Sequence, residues 1–201
     1  WMPILAEANV IESGDTVFPL PQGQPISIHM DVEAYMREQR TAGLVIVQAG
    51  KIRLEKYGLD FDAKGLWTSF SVAKSFTSTL VGAAIRDGLI DSINDKVSDY
   101  IPDLKGSAYD DVSIRQLLTM TSGVRWNEDY EDKNSDVALF NEHNAEFGLD
   151  TTVSYMRTLP RDAPAGEKWV YKTGETNLIG VLVSSATGKT LASYLSEKIW
   201  A

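Results

Sequence analysis

The sequence predicts an α/β (α+β) fold, in which a mixed, mainly antiparallel sheet packs with helices beside a helical lobe. Two patterns indicate this. Residues 76–85 repeat apolar side chains at helical spacing, whereas residues 44–57 combine an apolar run, a Gly50-Lys51 turn and alternating residues, as β-hairpins do. The chain has 201 residues, of which 43% are hydrophobic and 23% charged, so it can bury the core of one domain.

Charge and composition exclude several classes of partner. The net charge is −9 and no basic stripe is present to neutralise phosphates, so we expect no nucleic-acid partner. No cluster of Lys and Arg indicates a membrane partner. Cysteine is absent, which excludes disulfides and thiolate nucleophiles. We expect a soluble protein without a visible signal peptide, and the compartment, cytoplasmic or periplasmic, stays open.

The N-terminal part predicts an arm, a helix and the hairpin. Residues 1–30 contain four prolines and little periodicity, which is typical of an extended arm. Asp31 is a good N-cap for a helix over residues 32–40. In the hairpin, the apolar run 44–47 predicts a strand buried on both faces. A strand-like segment, 66–70, then leads into the next helix.

That next helix carries the only Ser-x-x-Lys of the chain, Ser71 to Lys74. Residues three apart lie on one face of a helix, so we expect the amine to reach the hydroxyl. A serine becomes a nucleophile when a base removes its proton, and a lysine serves as that base when burial or another cation nearby lowers its pKa. We place Ser71 in the first turn, where the helix dipole favours negative charge. Because this short pattern also occurs on solvated helices, it does not decide the function alone.

The middle of the chain predicts a short helix and a long loop. Ser113 and Gln116 fit a capping box and Gly123 a C-terminal cap. Residues 124–150 mix aromatic and acidic side chains with few caps, which is typical of a lid or binding loop. The acidic residues within 128–132 would attract a cation, but a solvated loop is the interpretation we favour.

The C-terminal part predicts a turn and an extended piece, 163–171, that deliver Tyr171. Residues 178–183 begin a buried helix that Gly188 ends, and a last helix starts near Thr190.

The predicted elements divide the chain into three parts of one domain. These are an arm (1–30), an α/β lobe (31–70 and 161–201) and a helical lobe (71–160).

Three motifs then follow in order: Ser71-x-x-Lys74, LLTMTSG at 117–123, and PAG at 164–166 with Tyr171 after it. With them the chain resembles the serine β-lactamase and penicillin-binding-protein superfamily from about residue 41 onwards. It looks closest to class C β-lactamases, family VIII carboxylesterases, D-aminopeptidases and 6-aminohexanoate-oligomer hydrolases. The resemblance implies a β-lactamase/transpeptidase-like fold, whose C-terminal strands and third motif are expected beyond this chain.

The resemblance also implies catalytic roles. Ser71 would be the acylated nucleophile, Lys74 its proton partner, and Tyr171 the relay of the proton to the leaving group. A phenol acts as a base near neutral pH beside a cation, which Lys74 or Lys172 would provide.

Three further residues are candidates for substrate binding. Thr173 stands where the superfamily commonly has asparagine, and a hydroxyl lacks the paired donor and acceptor of a carboxamide. This difference disfavours recognition of a β-lactam side-chain amide. Trp126 and Tyr130 would line the substrate pocket, with core packing as the alternative.

The sequence thus predicts a serine hydrolase that forms an acyl-enzyme on an ester or linear amide, resembling carboxylesterases or aminohexanoate-oligomer hydrolases. Two alternatives stay open: a β-lactamase or D-Ala peptidase, and a non-catalytic penicillin-binding-like module or inactive fragment. We expect no cofactor and no metal, since His29 and His143 form no ligand pair. The expected partner is a small-molecule ester or amide, and a second chain or a C-terminal segment is expected to complete the fold.

Overall fold

The computed structural model describes Ile11 and residues 19–200, so much of the predicted arm lies outside the described residues. The described chain divides into two compact units, one with residues 19–69 and one with residues 70–200. The predicted division into an arm, an α/β lobe and a helical lobe stays a prediction.

Residues 19–200 form eight α-helices and a two-stranded antiparallel sheet, so the α/β fold class is confirmed. In chain order the elements are α1 (Val32–Glu38), β1 (Gly43–Gln48), β2 (Lys51–Tyr57), α2 (Ala73–Arg86), α3 (Val97–Tyr100), α4 (Ile114–Leu118), α5 (Asp136–Glu142), α6 (Thr151–Met156), α7 (Thr173–Thr187) and α8 (Leu191–Leu195). Turns of 3₁₀ helix lie at Phe70–Val72 and Pro102–Leu104, and a π-helical turn, Ser196–Trp200, follows α8.

The unit of residues 19–69 contains α1 and the hairpin. As predicted, Asp31 caps α1, and its carboxylate accepts a hydrogen bond of 3.0 Å from the Ala34 N–H. Gly43 pairs with Tyr57 at the open end of the hairpin. However, β1 alternates between exposed and half-buried residues, so the prediction of a strand buried on both faces was wrong. In the described sheet β1 has only β2 beside it, and an isolated hairpin leaves much of its surface open.

Residues 66–70 do not form the predicted strand. The side chains of Leu66 and Trp67 are largely exposed, and the segment is irregular. Phe70 has a φ of +43°, which is outside the β region, so a strand cannot continue through it.

Helix α7 lies at the centre of the unit of residues 70–200, where it contacts α2, α4 and α6. It begins at Thr173, earlier than the apolar pattern from Leu178 predicted, because its first turn is polar. It ends as predicted at Gly188, which has a φ of +66°. Among the described helices none is long and apolar enough alone to cross a membrane, although α7 with Leu191–Trp200, bent by 78°, passes that test together.

The middle of the chain confirms one predicted cap and corrects two expectations. Ser113 and Gln116 form the capping box of α4. This helix ends at Leu118, so the prediction that Gly123 caps it was wrong. The predicted long loop, 124–150, contains α5, whose seven residues are too few to show a clear helical period.

Candidate active site

Ser71 lies on an exposed 3₁₀ turn, Phe70–Val72, that leads directly into α2. We expected it in the first α-helical turn, and the structure places it two residues before Ala73, where α2 starts. The free N–H groups and the dipole at this end of α2 still favour negative charge near Ser71. The left-handed backbone of Phe70 is unusual for an aromatic residue, and such strain is concentrated at functional sites.

Lys74 is the second residue of α2 and faces the serine. Its Nζ donates a hydrogen bond of 3.3 Å to Ser71 Oγ, as the spacing predicted. The side chain of Lys74 is half-buried. Further along α2, the buried residues Leu80, Val81 and Ala84 anchor the helix in the core.

Tyr171 completes the cluster from a segment 100 residues away in the sequence. Its hydroxyl donates a hydrogen bond of 2.8 Å to Ser71 Oγ. The Nζ of Lys74 lies 5.5 Å from the centre of the Tyr171 ring, within the range of cation–π attraction. The structure therefore brings the three predicted catalytic side chains together around one hydroxyl oxygen.

Backbone contacts hold the segment that carries Tyr171. The Val170 N–H donates to the Met120 carbonyl at 3.1 Å. Upstream, the Gly123 carbonyl accepts a hydrogen bond from the Ala163 N–H at 2.9 Å. Gly123 has a φ of +74°, and a Cβ there would lie 1.9 Å from the Ala163 carbonyl oxygen. Only glycine permits this close approach.

Lys172, the neighbour of Tyr171, points into the protein. Its side chain and that of Glu175 are both fully buried, and Nζ lies 3.6 Å from Glu175 Oε1. Nζ also donates to the Val170 carbonyl at 3.4 Å. Of the two lysines that we considered as the cation beside Tyr171, Lys74 is thus the one whose amine reaches Ser71.

Glu175 is the centre of a buried polar cluster. Its Oε1 accepts hydrogen bonds from the hydroxyls of Ser122 and Tyr109, the latter at 3.3 Å. Its Oε2 has no hydrogen-bond partner among the described residues. Burial raises the pKa of Glu175 to about 7, against the opposing effects of the Lys172 charge and of these hydrogen bonds. Burial, with the charge of Glu175 as a smaller cause, also raises the pKa of Tyr109 well above its ordinary value.

The three predicted substrate residues meet at one carboxylate, that of Glu128. Trp126 is 7% exposed and packs against Phe140 with ring centres 6.1 Å apart, as in the core-packing alternative. Tyr130 is 70% exposed. Thr173 is the first residue of α7, and its Oγ1 lies 3.3 Å from the Tyr130 hydroxyl. Their substrate-binding roles stay predictions.

Glu128 is a residue of the candidate site that the sequence did not single out. Within the acidic segment 128–132, Asp129 and Glu131 are exposed, as a solvated loop predicts. Glu128 is instead half-buried and accepts hydrogen bonds from the aromatic and α7 residues, so the solvated interpretation was wrong for it. The described residues hold no group of three or more His, Asp and Glu side chains arranged for a metal ion.

A search against protein-family models matches residues 30–201 to the family described as Beta-lactamase. The chain belongs to the β-lactamase family. Among relatives in this family, a 6-aminohexanoate-dimer hydrolase of Paenarthrobacter ureafaciens is 31% identical over 85% of this chain and 44% of its own length. A β-lactamase of Pseudomonas fluorescens is 27% identical over 84% of this chain and 46% of its own length. The chain thus spans about half the length of the curated relatives it matches.

Solved structures of the family share the fold. A Bacillus anthracis protein provisionally assigned as a 6-aminohexanoate-dimer hydrolase superposes with a TM-score of 0.76 and 20% identity, over 96% of this chain and 55% of that one. A class C β-lactamase of Rhodobacter sphaeroides gives a TM-score of 0.60 and 20% identity, over 84% of this chain and 46% of that one. These likenesses confirm the β-lactamase-like fold, of which this chain forms a part.

Proposed function

We propose that this protein is a serine hydrolase that forms an acyl-enzyme at Ser71 and acts on an ester or a linear amide. One observation carries the proposal: the exposed Ser71 Oγ accepts hydrogen bonds from Tyr171 at 2.8 Å and from Lys74 at 3.3 Å. A hydroxyl in contact with two proton carriers can act as a nucleophile when one of them is deprotonated and accepts its proton.

The first step is acylation. Ser71 Oγ attacks the substrate carbonyl carbon, and its proton passes to whichever of Lys74 or Tyr171 is deprotonated. The bond to the leaving group then breaks, and the same proton passes to the departing alcohol or amine through Tyr171. The N-terminal end of α2 favours the negative charge that develops beside Ser71.

Water completes the cycle. It loses a proton to the Lys74 and Tyr171 pair and attacks the ester carbonyl of the acyl-enzyme. The acid leaves and the proton returns to Ser71 Oγ, so no net proton stays on the protein. The exposure of Ser71 gives water access to the acyl group.

Two observations support a linear amide or an ester over a β-lactam. The relative that is 31% identical carries the name of a 6-aminohexanoate-dimer hydrolase, and that dimer is a linear amide. In addition, the hydroxyl of Thr173 donates to Glu128, so it does not offer the free donor and acceptor pair of a carboxamide.

The test is labelling of the full-length protein with a fluorophosphonate, followed by intact mass spectrometry. We expect one adduct on the wild type and none on Ser71→Ala, whose hydrolysis of a p-nitrophenyl ester should fall at least about 10³-fold. Ser75→Ala, the same substitution at an exposed serine in the first turn of α2, is the matched control and should label normally. An adduct that survives in a folded Ser71→Ala variant would overturn the assignment of the nucleophile.

Substrate class is tested on the same protein with a p-nitrophenyl ester, the 6-aminohexanoate dimer and a chromogenic cephalosporin. We expect turnover of the ester or the dimer to exceed that of the cephalosporin. Preference for the cephalosporin would favour a β-lactamase. A single adduct without turnover of any of the three would favour a non-catalytic module and contradict the proposal.

A further inference from the structure

Glu128 lies in the loop between α4 and α5, at the point where that loop meets the start of α7. Its carboxylate accepts four hydrogen bonds. Oε1 accepts from the Tyr130 hydroxyl at 2.7 Å and from the Thr173 hydroxyl. Oε2 accepts from the Thr173 N–H at 2.9 Å and from the indole N–H of Trp126.

These four donors fill the acceptor capacity of the carboxylate, since each oxygen has about two lone-pair directions. Glu128 therefore has no acceptor site left for a substrate donor in this arrangement. The hydrogen bonds of Glu128 therefore act on the reaction through the residues that it holds.

Glu128 also supplies the cap that α7 lacks. Lys172 stands at the N-cap position of α7, and its side chain makes no capping hydrogen bond. The Glu128 carboxylate takes that place from 45 residues earlier in the chain by accepting the Thr173 N–H. A negative charge at this end of a helix is favourable, and hydrogen bonds to an ionised acceptor are stronger than neutral ones.

Among the residues that donate to Glu128, Tyr130 has the side chain that packing restrains least. Its side chain is 70% exposed, so little packing restrains the ring. Its hydroxyl is held by Glu128 Oε1 at 2.7 Å and lies 3.3 Å from Thr173 Oγ1. Because Thr173 is two residues from Tyr171, this contact fixes Tyr130 beside the segment that carries the candidate catalytic phenol.

We infer that Glu128 is a positioning residue, which orients Tyr130 and Thr173 to form one wall of the substrate site. This inference rests on the proposed function at Ser71. Ser71, Lys74 and Tyr171 make their mutual contacts without Glu128. Loss of the hydrogen bonds to Glu128 should therefore weaken substrate binding more than it weakens the reactivity of Ser71.

Glu128→Gln is the direct test, because the amide keeps the shape but offers one accepting oxygen instead of two. When the NH₂ group faces the hydroxyls of Tyr130 and Thr173, these hydroxyls lose their charged acceptor and must accept a hydrogen bond instead, which turns both hydroxyl hydrogens away from residue 128. We expect KM for a p-nitrophenyl ester, or for the 6-aminohexanoate dimer if that is the better substrate, to rise at least about tenfold. The rate of fluorophosphonate labelling at Ser71 should change less than about twofold. Glu131→Gln removes the same charge from the same loop and is the matched control, with both quantities unchanged.

A second variant links the effect to Tyr130. Tyr130→Phe deletes the hydroxyl that Glu128 holds, and it should raise KM by itself. In the Tyr130→Phe background, Glu128→Gln should add less than its effect in the wild type, because both changes remove the hydrogen bond that the Tyr130 hydroxyl donates to the Glu128 carboxylate. Since Tyr130 is exposed, this variant also decides the question if Glu128→Gln does not fold.

The outcomes separate this inference from the proposed function. If the wild type is not labelled at Ser71, the proposed function fails and the inference fails with it. If the wild type is labelled and active, but Glu128→Gln behaves like Glu131→Gln or Tyr130→Phe leaves KM unchanged, only the inference is overturned. A parallel fall of labelling and melting temperature in Glu128→Gln would reduce Glu128 to a structural cap of α7 and would also overturn it.

Discussion

Two clusters in this protein are built from the same three residue types. Ser71, Lys74 and Tyr171 form one cluster at an exposed turn. Ser122, Lys172 and Tyr109 form the other around the carboxylate of Glu175, where all four side chains are fully buried. The two clusters are one residue apart in the sequence, at Tyr171 and Lys172.

The clusters differ in two respects: only the buried one contains a carboxylate, and only the other is accessible to water. In the buried cluster, Glu175 compensates the Lys172 charge and accepts hydrogen bonds from the Ser122 and Tyr109 hydroxyls. These groups therefore stabilise the core and are not accessible to a substrate. In the exposed cluster no carboxylate contacts Lys74 among the described residues, and its amine faces Ser71. Residue type therefore does not distinguish the buried cluster from the candidate catalytic one, whereas the partners and the exposure of the side chains do.

Replacement of each lysine in turn by methionine should give the largest difference in stability and labelling between the two clusters. Lys172→Met leaves the Glu175 carboxylate buried without its cation, which should cost about 3–5 kcal/mol in the free energy of unfolding at pH 8. Lys74→Met removes a half-buried amine and should cost less than about 1 kcal/mol while it abolishes labelling of Ser71. Chemical denaturation and fluorophosphonate labelling of both variants measure the two effects. Equal losses of stability would remove the distinction between the clusters.

The loss caused by Lys172→Met should itself depend on pH. Without the cation the pKa of Glu175 rises further, so acidification neutralises the unpaired carboxylate. We expect the destabilisation at pH 5 to be clearly smaller than at pH 8 in the same denaturation experiment.

The wild type should show the titration of Glu175 in its stability. The folded pKa is about 7 and the ordinary value is 4.5, so the folded state holds this proton more tightly than the unfolded state. The free energy of unfolding contributed by Glu175 is then greatest below pH 4.5 and falls by about 3 kcal/mol as the pH rises to 7. Lys172→Met/Glu175→Gln, which lacks both charges, is the reference. A difference between wild type and this variant that stays flat over that range would contradict the prediction.

Removal of the hydroxyl from Tyr109 or from Tyr171 should give a smaller difference in stability than the lysine variants give. Tyr109→Phe removes one hydrogen bond to Glu175 and should cost about 1–2 kcal/mol in stability, with normal labelling of Ser71. Tyr171→Phe should do the reverse, with a melting temperature close to the wild type and slower labelling. Thermal unfolding and labelling rates of the two variants measure this contrast, since each change deletes one tyrosine hydroxyl, in the buried cluster or in the exposed one.

Much of the local structure was predictable from the sequence because it depends on neighbours in the chain. Asp31 caps α1, Ser113 and Gln116 form the capping box of α4, and Gly188 ends α7, as predicted. Ser71 and Lys74 also met at the predicted spacing, although Ser71 lies on a 3₁₀ turn. Each of these contacts joins residues no more than one turn apart.

Other features escaped prediction because they depend on residues far away in the chain. The expected strand at 66–70 and the strand buried on both faces require neighbouring strands that the described residues do not contain. Gly123 looked like a helix cap, yet its role is to let the Ala163 backbone approach. Glu128 looked like one of several acidic residues in a solvated loop, and only the approach of α7 makes it an acceptor of four hydrogen bonds.

The sequence by itself determined the fold class, three of the helix caps and the family, through periodicity, capping chemistry and the order of three motifs. Only the tertiary structure decided that Tyr171 donates to Ser71 across 100 residues, while its neighbour Lys172 turns inward to Glu175. The physical reason is that capping and spacing act over a few residues of backbone. The partner and the burial of a side chain, which set its charge state and reactivity, are created only when distant segments pack together.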